Sequence, residues 1–186
     1  LNKKFKYPEK DEKVMIYAGN IGFGQGLHKI IPRLAARICN KWKIVIIGDG
    51  SAKKILIKEL KINNIKNVKI IDPVEQKLLM DHYNSANVLF LHLNDYNAFK
   101  KVLPSKIFEY GATSKPILAG VSGYAKKFIN EEILNSETFD PCNHNLAEQS
   151  LKKLEMRLVD RSSFKLKFNR KKLSDLLSKE IINQVK

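Results

Sequence analysis

The chain has 186 residues, 44% of them apolar, and 34 Lys and Arg against 19 Asp and Glu give a net charge of +15. That is one ordinary domain with enough apolar chain to bury a core, which excludes wholesale disorder. No run approaches the ~18 consecutive apolar residues of a membrane span, and the polar start, LNKKFKYPEKDEK, has no apolar stretch of the signal-peptide kind.

After that lead-in (residues 1–12), which lacks an initiator Met, as expected of a piece cut from a longer chain, short apolar runs alternate with amphipathic stretches. Strands are expected at 14–18, 44–47, 68–71, 88–91 and 116–119, mostly β-branched and nearly continuous, as in strands covered on both faces. Between them, Leu27, Ile30, Ile31, Leu34 and Ile38 mark one helix face, with a kink or late start expected at Pro32. Further helices are read at about 51–63, 75–84, 104–113, 124–130, 145–158 and 170–183. This rhythm implies βαβ units and a Rossmann-like, doubly wound parallel α/β sheet over residues 13–166, followed by a C-terminal helical segment, 167–186. Ligands of such sheets bind outside the carboxyl ends of the strands, so the segments after each strand carry the functional signal.

After the first strand comes Gly19-Asn20-Ile21-Gly22-Phe23-Gly24-Gln25-Gly26, leading into a helix. Glycines let backbone approach a ligand closely, and a helix N-terminus offers unpaired N–H groups, the chemistry a diphosphate needs. A flexible turn satisfies the same pattern, and the spacing is neither the dinucleotide fingerprint nor a Walker loop. Gly48-Asp49-Gly50 follows the second strand, as a tight turn or a ligand floor, and Asp72-Pro73-Val74 follows the third, where backbone could edge a nucleobase. The most informative segment is Val102-Leu103-Pro104-Ser105-Lys106-Ile107-Phe108-Glu109-Tyr110-Gly111. Pro104 suits a first helical position, placing Ser105 and Lys106 in the first turn, where a cation opposes the helix dipole. Lys106 and Glu109 share a face. Together they suit a phosphate and a ribose, or they form an i,i+3 surface ion pair.

No metal is expected. The four histidines have no ligand spacing, there is no Asp-x-Asp, and Cys39 and Cys142, far apart, read as buried thiols in a cytoplasmic protein. The basic residues are 29 Lys and only 5 Arg, a composition that reads as solvated surface more than a nucleic-acid reading face. Residues 150–186 hold 11 basic and 4 acidic side chains. That end is a candidate for peripheral contact with an anionic inner membrane face.

The order of IYAGNIGFGQGL, VIIGDG, NVKIIDPV, LPSKIFEYGATSKPILAG and FDPCNHNLAEQSLKKL resembles the C-terminal half of GT-B glycosyltransferases of family 4, over residues 13–183. It looks closest to bacterial enzymes of O-antigen, lipopolysaccharide or capsule synthesis that use UDP-linked amino sugars. The resemblance implies a donor-binding domain of a retaining, metal-independent transferase with no cofactor, whose partners are a nucleotide-sugar, a glycan or lipid-linked acceptor and a missing N-terminal domain. It assigns Gly19, Asn20, Gly22, Gly24 and Gln25 to the diphosphate, Gly48 and Asp49 to the floor, and Asp72, Pro73 and Val74 to the base. Pro104 and Ser105 lead into Lys106, which pairs with phosphate, and Glu109 accepts from the ribose. Two departures stand out. Lys101 occupies the position where many members carry an acid aimed at the donor sugar, and the cations of the first loop are absent. UDP is the expected nucleotide, with GDP open. A non-catalytic nucleotide-binding module and a basic nucleic-acid-binding domain are the alternatives, the latter lacking any recognisable motif.

Overall fold

The computed structural model describes residues 12–169, 174 and 178. Six parallel strands form one sheet: β1 (Lys13–Ala18), β2 (Trp42–Ile47), β3 (Val68–Ile71), β4 (Val88–His92), β5 (Ile117–Gly120) and β6 (Ser136–Phe139), in the order β3-β2-β1-β4-β5-β6. The helices are α1 (Leu27–Ile38), α2 (Lys53–Ile62), α3 (Gln76–Ser85), α4 (Lys106–Gly111), α5 (Gly123–Glu132), α6 (His144–Lys153) and α7 (Ser162–Lys167). The fold is a Rossmann-like, doubly wound parallel sheet, as the sequence leads one to expect, with its topological switch between β1 and β4.

The near-continuous apolar strands have a simple cause, because alternate residues feed two separate cores. Met15, Tyr17, Ile44, Ile46, Val88, Phe90 and Leu118 pack under α1, α2 and α6. Val14, Ile16, Ala18, Val45, Ile47, Leu89, Leu91, Ile117 and Ala119 pack against the side chains of α3, α4, α5 and α7. On α1, Leu27, Ile30, Ile31, Leu34, Ala35 and Ile38 are buried. At about 1.5–3 kcal/mol for each large aliphatic side chain removed from water, this face outweighs the helical hydrogen bond that Pro32 denies to the carbonyl of His28. The helix therefore starts at Leu27 and runs through Pro32, with no late start.

Four further features differ from what the sequence pattern predicts. β6 was not expected: its sequence is Ser-Glu-Thr-Phe and only Phe139 is buried, because an edge strand has one partner and half its surface in water. α6 stops at Lys153 rather than 158, since Leu154 turns inward in extended backbone to join the core. α4 starts at Lys106, so Pro104 and Ser105 precede the helix in a turn closed by Ile107 N–H donating to the Pro104 carbonyl. The cysteines are free but not buried; Cys39 is exposed and Cys142 half-exposed. The expected helix at 170–183 lies outside the described residues, apart from Ser174 and Ser178. Among the described residues no helix is long and apolar enough to cross a membrane.

Candidate functional site

The carboxyl ends of β1 and β2, the segment after β3 and the start of α4 enclose a cleft of about 300 Å³. Its lining brings together seven of the sequence-predicted residues: Gly19, Asn20, Gly48, Asp49, Pro73, Val74 and Lys106, with Ala18, Ile47 and Leu79. This is the crevice that the strand order dictates, backbone-rich on the β1 and β2 sides, apolar toward Pro73 and Val74, and cationic at Lys106. A larger groove of about 500 Å³ is lined by His28, Lys29 and Arg33 of α1, Ile55 and Glu59 of α2, and Cys142, and none of the sequence-predicted site residues lines it.

The two glycine loops build the floor by packing on each other. Ile21 N–H donates to the Asp49 carbonyl at 2.7 Å, Ala52 N–H to the Ile21 carbonyl at 2.9 Å, and Gly19 N–H to the Ile47 carbonyl at 2.9 Å. Gly48-Asp49-Gly50 is thus a tight turn, of which Gly48 and Asp49 line the cleft. In the first loop the intervening residues form a short 3-10 turn (Phe23–Gln25), and Gln25 Oε1 accepts from Gly22 N–H and from Asn20 Nδ2, each at 3.2 Å. Gly24 gives its carbonyl to Asn94 N–H at 2.8 Å and faces Phe99. Gly22, Gly24 and Gln25 therefore shape the loop from behind and do not line the cleft. With the Gly19, Ile21, Gly22, Gln25 and Gly26 amides engaged internally, the amides of Asn20, Phe23 and Gly24 take no partner among the described residues, and of these three residues Asn20 lines the cleft.

On the opposite wall, Lys106 Nζ donates to Glu109 Oε2 at 2.6 Å, so the i,i+3 ion pair is formed. Both side chains keep access to solvent, 25% for Lys106 and 41% for Glu109. Such a pair is worth at most about 1 kcal/mol, so Lys106 can be drawn from it by a stronger partner. Lys106 lies beside Gly19, with Cε 3.7 Å from where a Cβ on that glycine would stand. Asp72 does not line the cleft; it receives Lys53 Nζ at 2.6 Å, and the same ammonium lies 3.5 Å from Asp49. Lys101, at the end of a second 3-10 turn (Asn97–Lys101), is exposed. Among the described residues no three of His, Cys, Asp and Glu form a group able to hold a metal ion.

Three buried polar residues that sequence reading passed over hold this frame: Tyr83, His92 and Arg161. His92 ends β4 and is 1% exposed. Its Nδ1 lies 2.7 Å from the Gln25 carbonyl and its Nε2 accepts Cys142 N–H at 2.9 Å, which fixes the neutral tautomer with the proton on Nδ1. Burial holds its pKa down at about 4, and His28 and Lys29 nearby push the same way. The unfolded chain protonates this imidazole near pH 6.5 while the folded one does not, so stability is expected to fall as pH drops from about 6.5 to about 4, by on the order of 3 kcal/mol. His28 and His82 are also held low by burial, so they shift stability in the same direction as the pH falls. Urea denaturation of wild type and His92→Gln across pH 4–7 isolates the His92 part, and equal pH slopes in the two proteins would remove it.

No curated protein matches the chain. Among solved structures it is similar to HepE from Anabaena, in complex with UDP and glucose (TM-score 0.69, 13% identity, covering 90% of this chain and 48% of that one). It is similar to S. aureus TarM in complex with fondaparinux, alpha-GlcNAc-glycerol and UDP (0.63, 17%, 81% and 30%). It also resembles the C-terminal domain of LpcC, a glycosyl transferase group 1 family protein from Francisella tularensis (0.57, 15%, 76% and 74%). The chain thus spans under half the length of HepE and of TarM but three quarters of a domain from the end of LpcC. At these identities the likeness establishes the fold. The family model for glycosyl transferases group 1 matches residues 1–165, and the chain belongs to that family.

Proposed function

We propose that this chain is the donor-binding, C-terminal half of a GT-B glycosyltransferase of family 4, which moves a sugar from a nucleoside diphosphate to a glycan or lipid-linked acceptor. The observation that carries this reading is the cleft at the switch of the sheet, where two glycine loops, an apolar edge and Lys106 converge. UDP is the preferred nucleotide, supported by its presence in the HepE and TarM structures. The base lies along Pro73 and Val74, the ribose hydroxyls reach Glu109, and the diphosphate sits between the first glycine loop and Lys106.

The reaction proposed, after the family resemblance, is cleavage of the anomeric C–O bond with departure of the nucleoside diphosphate, the acceptor hydroxyl oxygen entering on the same face with retention and passing its proton to the departing diphosphate. Negative charge grows on the diphosphate as the bond breaks. Lys106, released from Glu109 as the diphosphate arrives, and the Asn20 amide, which takes no partner among the described residues, stabilise that charge from the cleft walls. We assign no cofactor and no metal to the domain. The acceptor, in lipopolysaccharide, O-antigen or capsule synthesis with an amino sugar as donor, belongs to an N-terminal domain that completes the enzyme. The placement is cytoplasmic, with the basic C-terminal end against the inner membrane face.

Calorimetric titration of the 186-residue chain with UDP, GDP and AMP tests this. UDP is expected to bind in preference to AMP, with Lys106→Ala weakening it about tenfold to a hundredfold through loss of a charge-assisted contact to phosphate. Glu109→Ala should weaken it less, and the chain alone should transfer no sugar. Equal affinity for all three nucleotides, indifferent to both substitutions, would overturn the reading. Lys101, a cation where the resemblance leads one to expect an acid, supports a second reading as a non-catalytic nucleotide-binding module. Under that reading, Lys106→Ala in the complete enzyme leaves transfer unchanged.

A further inference from the structure

Glu109 has a second partner besides Lys106. Tyr83, on α3, donates its hydroxyl to Glu109 Oε1 at 2.6 Å. The ring of Tyr83 is 1% exposed and stands edge-on to Tyr110, with centroids 5.5 Å apart. Tyr110 in turn accepts Ala18 N–H at its hydroxyl, 2.9 Å away and buried. Ala18 is the last residue of β1 and lines the cleft next to Gly19. One continuous path therefore joins the strand end that carries the first glycine loop, the back of α4 and the carboxylate on its front.

The two carboxylate oxygens of Glu109 have unlike surroundings. Oε1 is tied to a buried, immobile phenol, and Oε2 is tied to a long, partly exposed lysine. When Lys106 leaves for a phosphate, only the first bond keeps the carboxylate from swinging into solvent. We infer that Tyr83 is a positioning residue, which anchors Glu109 by one oxygen so that the other is presented to the ribose hydroxyls of the nucleotide once Lys106 has turned to the diphosphate. Burial and the neighbouring Glu109 and Tyr110 push the Tyr83 phenol well above its ordinary range, so it stays a donor at any working pH. Hydrogen bonds to a charged group are the stronger kind, and a carboxylate held in place does not lose side-chain freedom again on binding.

This inference rests on the nucleotide-binding reading above, so the test separates the two. Wild type, Tyr83→Phe and Glu109→Gln chains are titrated with UDP and with 2′,3′-dideoxy-UDP, which keeps the base and diphosphate but lacks both ribose hydroxyls. Wild type is expected to prefer UDP by about tenfold or more. Tyr83→Phe, which removes one oxygen and keeps the ring packing, is expected to lose most of that preference while binding the dideoxy compound as wild type does. A general loosening of the fold would instead weaken both ligands equally, so that result overturns the positioning role, as does an unchanged preference in Tyr83→Phe. Tyr83→His, which restores a donor on a shorter ring, serves as a second variant, and full preference in Tyr83→Phe but not in Tyr83→His also counts against it. Absence of UDP binding by wild type overturns the nucleotide reading itself and this inference with it.

Discussion

Replacing Gly48 with alanine is expected to cost more than about 4 kcal/mol and to abolish nucleotide binding, although it adds a single methyl group. A Cβ at this position would stand 1.9 Å from the Gly19 carbonyl oxygen, inside any contact distance, and the φ of Gly48 is +153°, which L side chains rarely adopt. The obstructing atom is backbone. It is also held, since Gly19 N–H is bonded to the Ile47 carbonyl and Gly48 N–H to the Ile71 carbonyl. Relief requires the carboxyl ends of β1 and β2 to part, and both ends line the cleft. Strained backbone alone costs about 1–3 kcal/mol, and the clash adds to it, which together takes much of a typical 5–15 kcal/mol stability. Gly22→Ala provides the contrast. Its Cβ would meet only the ends of the Asn20 and Gln25 side chains, at 2.8 Å each, which can swing aside, so a loss under about 1 kcal/mol is expected. Urea unfolding of the two variants beside wild type checks the pair; similar losses in both would show that the two loops do not pack as described.

The contrast also shows what kind of information the sequence carried. The inner strands β1, β2, β4 and β5 were legible because burial on both faces writes itself as an apolar run. Of the two edge strands, β3 was legible from its β-branched Val68, Ile70 and Ile71, whereas β6, Ser-Glu-Thr-Phe, has no such run. The seven cleft residues were legible for a related reason. In a parallel sheet the strand ends define the site, so backbone after a strand acquires function by position alone, and glycine marks where backbones approach. The same glycines did not distinguish a ligand cradle from loop packing, and in the structure they divide. Gly19 and Gly48 line the cleft, whereas Gly22 and Gly24 serve the loop. Pro104 was misplaced by two residues because a proline that suits the first helical turn suits the preceding turn equally well.

Tyr83, His92 and Arg161 left no local trace. Their partners lie 26, 50 and 27 positions away along the chain, at Glu109, Cys142 and Leu134. A tyrosine in an amphipathic helix, a histidine at a strand end and an arginine before a basic helix each look ordinary. Only the assembled sheet reveals that each is buried with a specific bond to make, and a buried polar group must be satisfied wherever its partner happens to fall in the sequence. The frame of the cleft is therefore readable from pattern, while the groups that hold its α4 wall in register are products of tertiary pairing.

Arg161 is the most consequential of these, and its replacement by methionine is expected to cost about 3–5 kcal/mol. Its guanidinium is 2% exposed and, among the described residues, bonds to backbone carbonyls alone. Nε donates to the Leu134 carbonyl at 3.0 Å, Nη2 to Asn135 at 3.2 Å, and Nη1 to Thr113 at 3.0 Å and Tyr110 at 3.4 Å. Tyr110 and Thr113 belong to the carboxyl end of α4 and the turn after it, where unpaired carbonyls and the negative end of the helix dipole favour a cation. Burial nonetheless lowers the pKa to about 10, a measure of how far the charge has been taken from water. Methionine matches the stem of the side chain but leaves those carbonyls without a donor, each at about 1–3 kcal/mol where no water enters. Arg161→Lys is expected to recover only part of the loss, because one ammonium cannot reach both the α4 end and the Leu134–Asn135 corner. The consequence for the cleft follows from the size of α4. A helix of six residues has too few internal bonds to hold itself, so freeing its carboxyl end frees Lys106 and Glu109 at the front. Urea unfolding together with UDP titration of both variants checks this. Loss of stability with nucleotide affinity intact would show that α4 is positioned from the Tyr83 and Tyr110 side alone.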